Sequence, residues 1–128
     1  MIISVNLYGD SVPLDRVESI LGLKADIIGK KGEHIKNNPK YAKYKTSTWC
    51  SKNFNSEEKG GIHKLLENIC DKMRKNKSQI KALMNLEDIR GKVYISMSMY
   101  PTHGREEISF EQLAILAELK FNLCLDVL

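Results

Sequence analysis

The sequence predicts an α+β domain, a mostly antiparallel sheet with helices on one face, and three stretches predict it. Lys92 to Tyr100 alternates without a break, with Val93, Ile95, Met97 and Met99 facing one way and Tyr94, Ser96, Ser98 and Tyr100 the other. That is a strand with one dry face. Ile62, Leu65, Leu66, Ile69, Cys70 and Met73 recur at helical spacing, and Lys64, Glu67, Asp71, Lys72 and Lys75 lie away from them, so this helix buries one stripe. Ser109, followed three residues later by Gln112, is a capping box that starts a further helix at Phe110.

The remaining elements follow in chain order. Ile3, Val5 and Leu7 alternate with Ser4, Asn6 and Tyr8, giving a first strand that Gly9-Asp10 ends. Ser11 is placed to cap a short helix whose first turn tolerates Pro13. Its apolar residues are Leu14, Val17, Ile20 and Leu21, and Gly22 supplies the left-handed stop. Ala25 to Ile28 reads as a brief strand, and Gly29 to Lys43, with two glycines and Asn37-Asn38-Pro39, as the longest loop. Tyr44 to Ser51 is rich in threonine and aromatic residues and reads as a strand with Trp49 in the core. Asn76-Lys77-Ser78 interrupts the long apolar stripe before Ile80, Leu83 and Met84 resume it, and a break into two helices is expected there. Pro101 to Gly104 reads as a turn, Ile108 and Leu113 as a hydrophobic staple around the capping box, and Leu113, Ala114, Leu116 and Ala117 as the apolar face of the last helix. Phe121, Leu123, Leu125 and Val127 close the chain as an alternating strand. The order β-α-β-β-α-β-α-β begins as a ferredoxin-like β-α-β-β-α-β core and adds a C-terminal helix and strand.

With 128 residues, the chain is expected to form one domain, 1–128, that needs no staples. Its three cysteines, Cys50, Cys70 and Cys124, are odd in number and lack a C-x-x-C pair, as expected of free thiols in a reducing compartment. Met1 to Tyr8 alternates instead of building a signal peptide, and no apolar run reaches membrane-spanning length, so a cytoplasmic location is expected. The net charge of +4 is unevenly spread. Lys30, Lys31, Lys36, Lys40, Lys43 and Lys45 crowd the long loop, whereas Glu106, Glu107, Glu111, Glu118 and Asp126 dominate the C-terminal quarter.

Several short pieces occur together in a fixed order: Gly9-Asp10 after the first strand, Leu21-Gly22-Leu23, Lys31-Gly32-Glu33, Trp49 in its strand, and Ser109-Phe110-Glu111-Gln112-Leu113 leading to Leu125-Asp126. In these the chain resembles an uncharacterised bacterial family, domain-of-unknown-function family 4279, over most of its length. Val127 stands where that resemblance would put an aromatic residue. The resemblance implies an α+β domain and brings no agreed activity; a role as an immunity protein beside a secreted toxin is expected of a small domain of this kind by association, not by mechanism.

Catalytic chemistry has few carriers here. His34, His63, His103 and the three cysteines show no zinc-ligand spacing, and no Walker or dinucleotide glycine pattern occurs. No enzyme, metal or cofactor is expected. Ile28-Gly29-Lys30-Lys31-Gly32-Glu33-His34-Ile35 resembles the backbone-clamping loop of KH domains, but Asn37-Asn38-Pro39 breaks the helix that such a loop needs. The expected function is therefore binding to a protein partner, with an immunity protein that occludes a toxin's active site as its concrete form. The contact residues are either Tyr8, Tyr94 and Tyr100 on the open sheet face or the acidic Glu106, Glu107 and Glu111. The alternative is weak nucleic-acid binding through Lys30, Lys31, Lys36, Lys40, Lys43 and Lys45. A solvated sheet face and a lysine-solvated loop are the plain readings of the same residues.

Overall fold

A computed structural model describes residues 1–54, 61–97 and 106–127. Along the chain run β1 (Ile2–Tyr8), α1 (Val17–Leu21), β2 (Ile27–Gly29), a 3-10 turn (Ile35–Asn37), β3 (Thr48–Phe54), α2 (Gly61–Arg74), α3 (Lys77–Met84), β4 (Arg90–Met97), α4 (Phe110–Glu118) and β5 (Phe121–Val127). The strands form one five-stranded sheet in the order β2-β3-β1-β4-β5. The pairs β2·β3, β3·β1 and β1·β4 are antiparallel, and β4·β5 is parallel. Parallel neighbours need a crossover, and α4 supplies it between β4 and β5.

The alternation in β1 and β4 translates directly into two faces. Ile3, Val5, Leu7, Val93 and Ile95 are fully buried and share one hydrophobic core with residues of all four described helices, among them Leu21, Leu66, Ile69, Met73, Ile80 and Leu116. Burying each such side chain contributes roughly 1.5 to 3 kcal/mol. Trp49 lies opposite Leu7 in the register and is fully enclosed. The expected break in the long stripe also stands: α2 ends at Arg74 and α3 starts at Lys77. Asn76 at the junction donates its side-chain amide to the Ser19 carbonyl at 3.2 Å, which ties the break to α1.

Several boundaries differ from the sequence reading, each for a tertiary reason. Ser11 does not cap α1. Its backbone N–H donates to the Asp88 carboxylate at 2.6 Å, Pro13 accepts from Arg16 and Val17 in a separate turn, and the helix starts only at Val17. Gly9 sets this corner: its φ of 144° lies outside ordinary L-residue space, and a Cβ there would collide with the Asp88 carbonyl. Gly22 ends α1 in the left-handed conformation, as its place in the sequence predicts. β3 begins at Thr48, not Tyr44, because Tyr44 is already paired with the long loop, donating to the Glu33 carbonyl at 2.9 Å and accepting from Gly32 at 3.0 Å.

Helix α4 carries the largest correction. The capping box is present in full, with Ser109 Oγ accepting from Gln112 N and Gln112 Oε1 accepting from Ser109 N. Yet the buried side is Gln112, Ile115, Leu116 and, just past the helix, Leu119, whereas Leu113, Ala114 and Ala117 are exposed. The Gln112 amide explains the rotation. It is fully enclosed and donates to the His63 carbonyl at 2.9 Å and to the Glu67 carboxylate at 3.0 Å. A primary amide satisfied this way is held inward by partners that an apolar side chain could not use. Leu113, expected to staple over Ile108, is consequently 44 % exposed, while Ile108 packs in part against the core. The Pro101 to Gly104 turn and the end of the central strand, Ser98 to Tyr100, lie outside the described residues.

Candidate protein-binding face

The sheet face opposite the helices is built from the other set of alternating residues, and the register fixes its rows. Thr48, Tyr8 and Arg90 form one row, Cys50, Asn6, Lys92 and Asn122 the next, and Lys52, Ser4, Tyr94 and Cys124 a third. Tyr8 and Tyr94, both expected in a partner contact, therefore stand two rows apart on the same side, with Asn6 in the row between. Among the described residues the core cluster includes neither Asn6 nor Cys50, yet these are only 6 % and 5 % exposed. Larger neighbours cover them. The Lys92 ammonium lies 5.9 Å from the centre of the Tyr8 ring, within reach of a cation–π attraction.

This cover leaves a chemical mark. The Tyr8 phenol is pushed up to about 12, first by burial and then by the adjoining Tyr94 hydroxyl, with Cys50 and Cys124 adding to it. Burial likewise raises the Cys50 thiol, and Lys52 partly offsets the effect. At neutral pH Tyr8 stays a hydrogen-bond donor and the Cys50 thiol stays protonated, beside Lys52, Lys92 and Arg90 and, in the next row with Ser96, Asp126. Asn6 Nδ2 finds no acceptor among the described residues. Such a face offers donors, aromatic edges and a mild positive charge, a composition suited to adaptable protein contacts. Tyr100 lies outside the described residues.

The three expected glutamates sit elsewhere, toward the helix side, and only two of them project freely. Glu106 is half-buried and accepts from the backbone N–H of Ile62 at 3.0 Å, which satisfies one of the unpaired donors at the start of α2. Glu107 and Glu111 are exposed. The tyrosine pair and the acidic group are thus two surfaces and do not form one site.

The basic loop folds back on itself. His34 bridges to Lys43, Ile35 donates to the Ala42 carbonyl at 3.0 Å, and the His34 ring nitrogen Nδ1 lies 2.8 Å from the Tyr41 carbonyl oxygen. A single 3-10 turn, with Lys36 and Asn37 in the left-handed region, stands where a KH fold would start its helix. Lys30, Lys31, Lys36, Lys40, Lys43 and Lys45 are all exposed. Lys31 is paired with Asp10 at 2.9 Å and Lys36 lies over the Tyr41 ring at 5.5 Å.

All three cysteines are free, and burial pushes the Cys70 thiol up to about 11. Among the described residues no three His, Cys, Asp or Glu side chains cluster as metal ligands, and no described helix is long and apolar enough to cross a membrane.

The parity of the sequence put Tyr8, Tyr94, Asn6 and Ser4 on one side. The same alternation gives that side to Lys92, two residues before Tyr94, and to Cys50, next to the core Trp49; that these stand in adjoining rows came only from the register, since the order of strands is not written in any one strand's alternation. Comparison with known proteins adds one match. No curated protein and no solved structure matches the chain, but the family model described as Domain of unknown function (DUF4279) matches residues 2–128. With Gly9, Gly22 and the Ser109–Gln112 box fixing turns at the spacing first noted, the chain belongs to that family.

Proposed function

We propose that this protein is a small protein-binding domain acting from its open sheet face, and that its concrete role is that of an immunity protein occluding the active site of a toxin domain. The observation that carries this reading is the Tyr8–Tyr94 pair, brought together over the buried Asn6 row on the sheet face opposite the core residues Ile3, Val5, Leu7, Val93 and Ile95. Tyrosines on a rigid strand lose little entropy when they dock, and a donor-rich, mildly cationic surface favours an acceptor-rich partner. The central four strands, ordered β2-β3-β1-β4 and antiparallel throughout, support a ferredoxin-like reading of the platform beneath it. The test is co-expression with the product of the adjacent gene, followed by calorimetry. Replacing Tyr8 and Tyr94 together by alanine is expected to weaken the complex by at least about tenfold while the melting temperature moves comparatively little. An adjacent product that does not bind, or a double variant that binds as tightly as the parent, removes the proposal.

The exposure of all six loop lysines favours weak nucleic-acid binding as the second reading. Anisotropy with a short RNA should then show affinity falling steeply with salt. Absence of binding at low salt disposes of it.

A further inference from the structure

The two edges of the sheet are protected very differently. On one side the edge strand β2 has three residues, too short to template another chain. On the other, β5 runs for seven residues, and among the described residues no strand pairs with its outer edge. Natural edges of that length are blunted by proline, a bulge or inward charges. β5 has no proline, its only charge is Asp126 near its end, and Leu125, in the register row of the helix-facing Ile95, is 61 % exposed.

The strand is also complementary to itself. Reversed about Leu123, the run Lys120-Phe121-Asn122-Leu123-Cys124-Leu125-Asp126 sets lysine abreast of aspartate, phenylalanine opposite leucine and asparagine opposite cysteine, twice each. We propose that two copies of this chain pair through β5, antiparallel about a twofold axis at Leu123, so that their sheets join edge to edge. The interface is isologous and closes on itself. It sets the exposed Leu125 of each copy beside the start of the other's β5, where Phe121 is itself buried in its own core, and satisfies the outward-facing backbone groups. Lys120, which precedes the strand with a φ of 63° and donates to Asn85 Oδ1 at 2.7 Å, is exposed and close enough in sequence to meet the partner's aspartate.

Sedimentation velocity on the full chain over a range of concentrations tests the pairing. The parent chain is expected to dimerise, and Asp126→Lys, which brings four like charges to the junction, to weaken the dimer by at least about tenfold. The swapped variant carrying Lys120→Asp and Asp126→Lys is expected to recover it, since aspartate tolerates the left-handed backbone at that position. Should Asp126→Lys fail to fold by circular dichroism, Leu125→Ser reads the same interface. A monomeric parent overturns the proposal, as does a dimer indifferent to Asp126→Lys or Leu125→Ser, or a swap without recovery. Loss of the dimer in Phe110→Ser alone would move the contact to the outward side of α4, where Phe110 is 77 % exposed, and would equally overturn pairing through β5.

Discussion

The two faces of this sheet bury their residues on different terms. Behind it, Ile3, Val5, Leu7, Val93 and Ile95 are closed off by helices, and the gain comes from removing apolar surface from water. In front, Asn6 and Cys50 are buried almost as deeply although they lie outside that hydrophobic cluster. The first face lies within a core; the second is a thin layer in which polar groups lose water. The difference teaches that low exposure on a sheet does not identify the side that stabilises it.

Alanine truncation should separate the two faces most strongly. Ile95→Ala removes fully buried methylenes and is expected to cost about 2 to 5 kcal/mol by urea unfolding, whereas Tyr94→Ala, one position along the same strand, should cost clearly less because its side chain is half-exposed. Equal costs would mean that the open face is a second core.

Next in size is Gln112, the polar exception on the helix side. Gln112→Ala strands the Ser109 N–H, the His63 carbonyl and one Glu67 oxygen, and a loss of about 1 to 3 kcal/mol is expected. A neutral result would show that α4 is oriented by Ile115 and Leu116 without the amide.

The smallest effect is a pH dependence belonging to the open face. Tyr8 ionises near 12 in the folded protein against 10.0 for a free phenol, so the fold prefers its protonated form. That contribution is fully present below pH 10 and is lost as pH rises toward about 12. Urea midpoints across that window should fall, and fall less in Tyr8→Phe, with tyrosinate absorbance in the parent showing one late-titrating residue.

What could be read from the sequence was what is local in it. The faces of β1 and β4, the stop at Gly22, the break near Asn76 and the box at Ser109 each depend on residues within a few positions, and each stands in the structure. What could not be read depends on a distant partner. The phase of α4 was set by His63 and Glu67, and the start of α1 was displaced when Asp88 took the Ser11 amide. The site divides the same way. Parity alone placed Tyr8 and Tyr94 on one side, but their meeting over Asn6 needed β1 to lie between β3 and β4, which no single stretch of sequence encodes.

That central position of β1 has a consequence for how the protein is made. Strand β1 uses one edge for β3 and the other for β4, pairing Ile3 with Asn53 and with Ile95. During synthesis it emerges well before either partner, and its second edge stays unpaired until the chain has grown through β4. Closing such long loops makes assembly slow compared with that of helical bundles. The first strand, apolar on alternate positions and open along both edges, is the segment that a holding chaperone would be expected to meet on the ribosome.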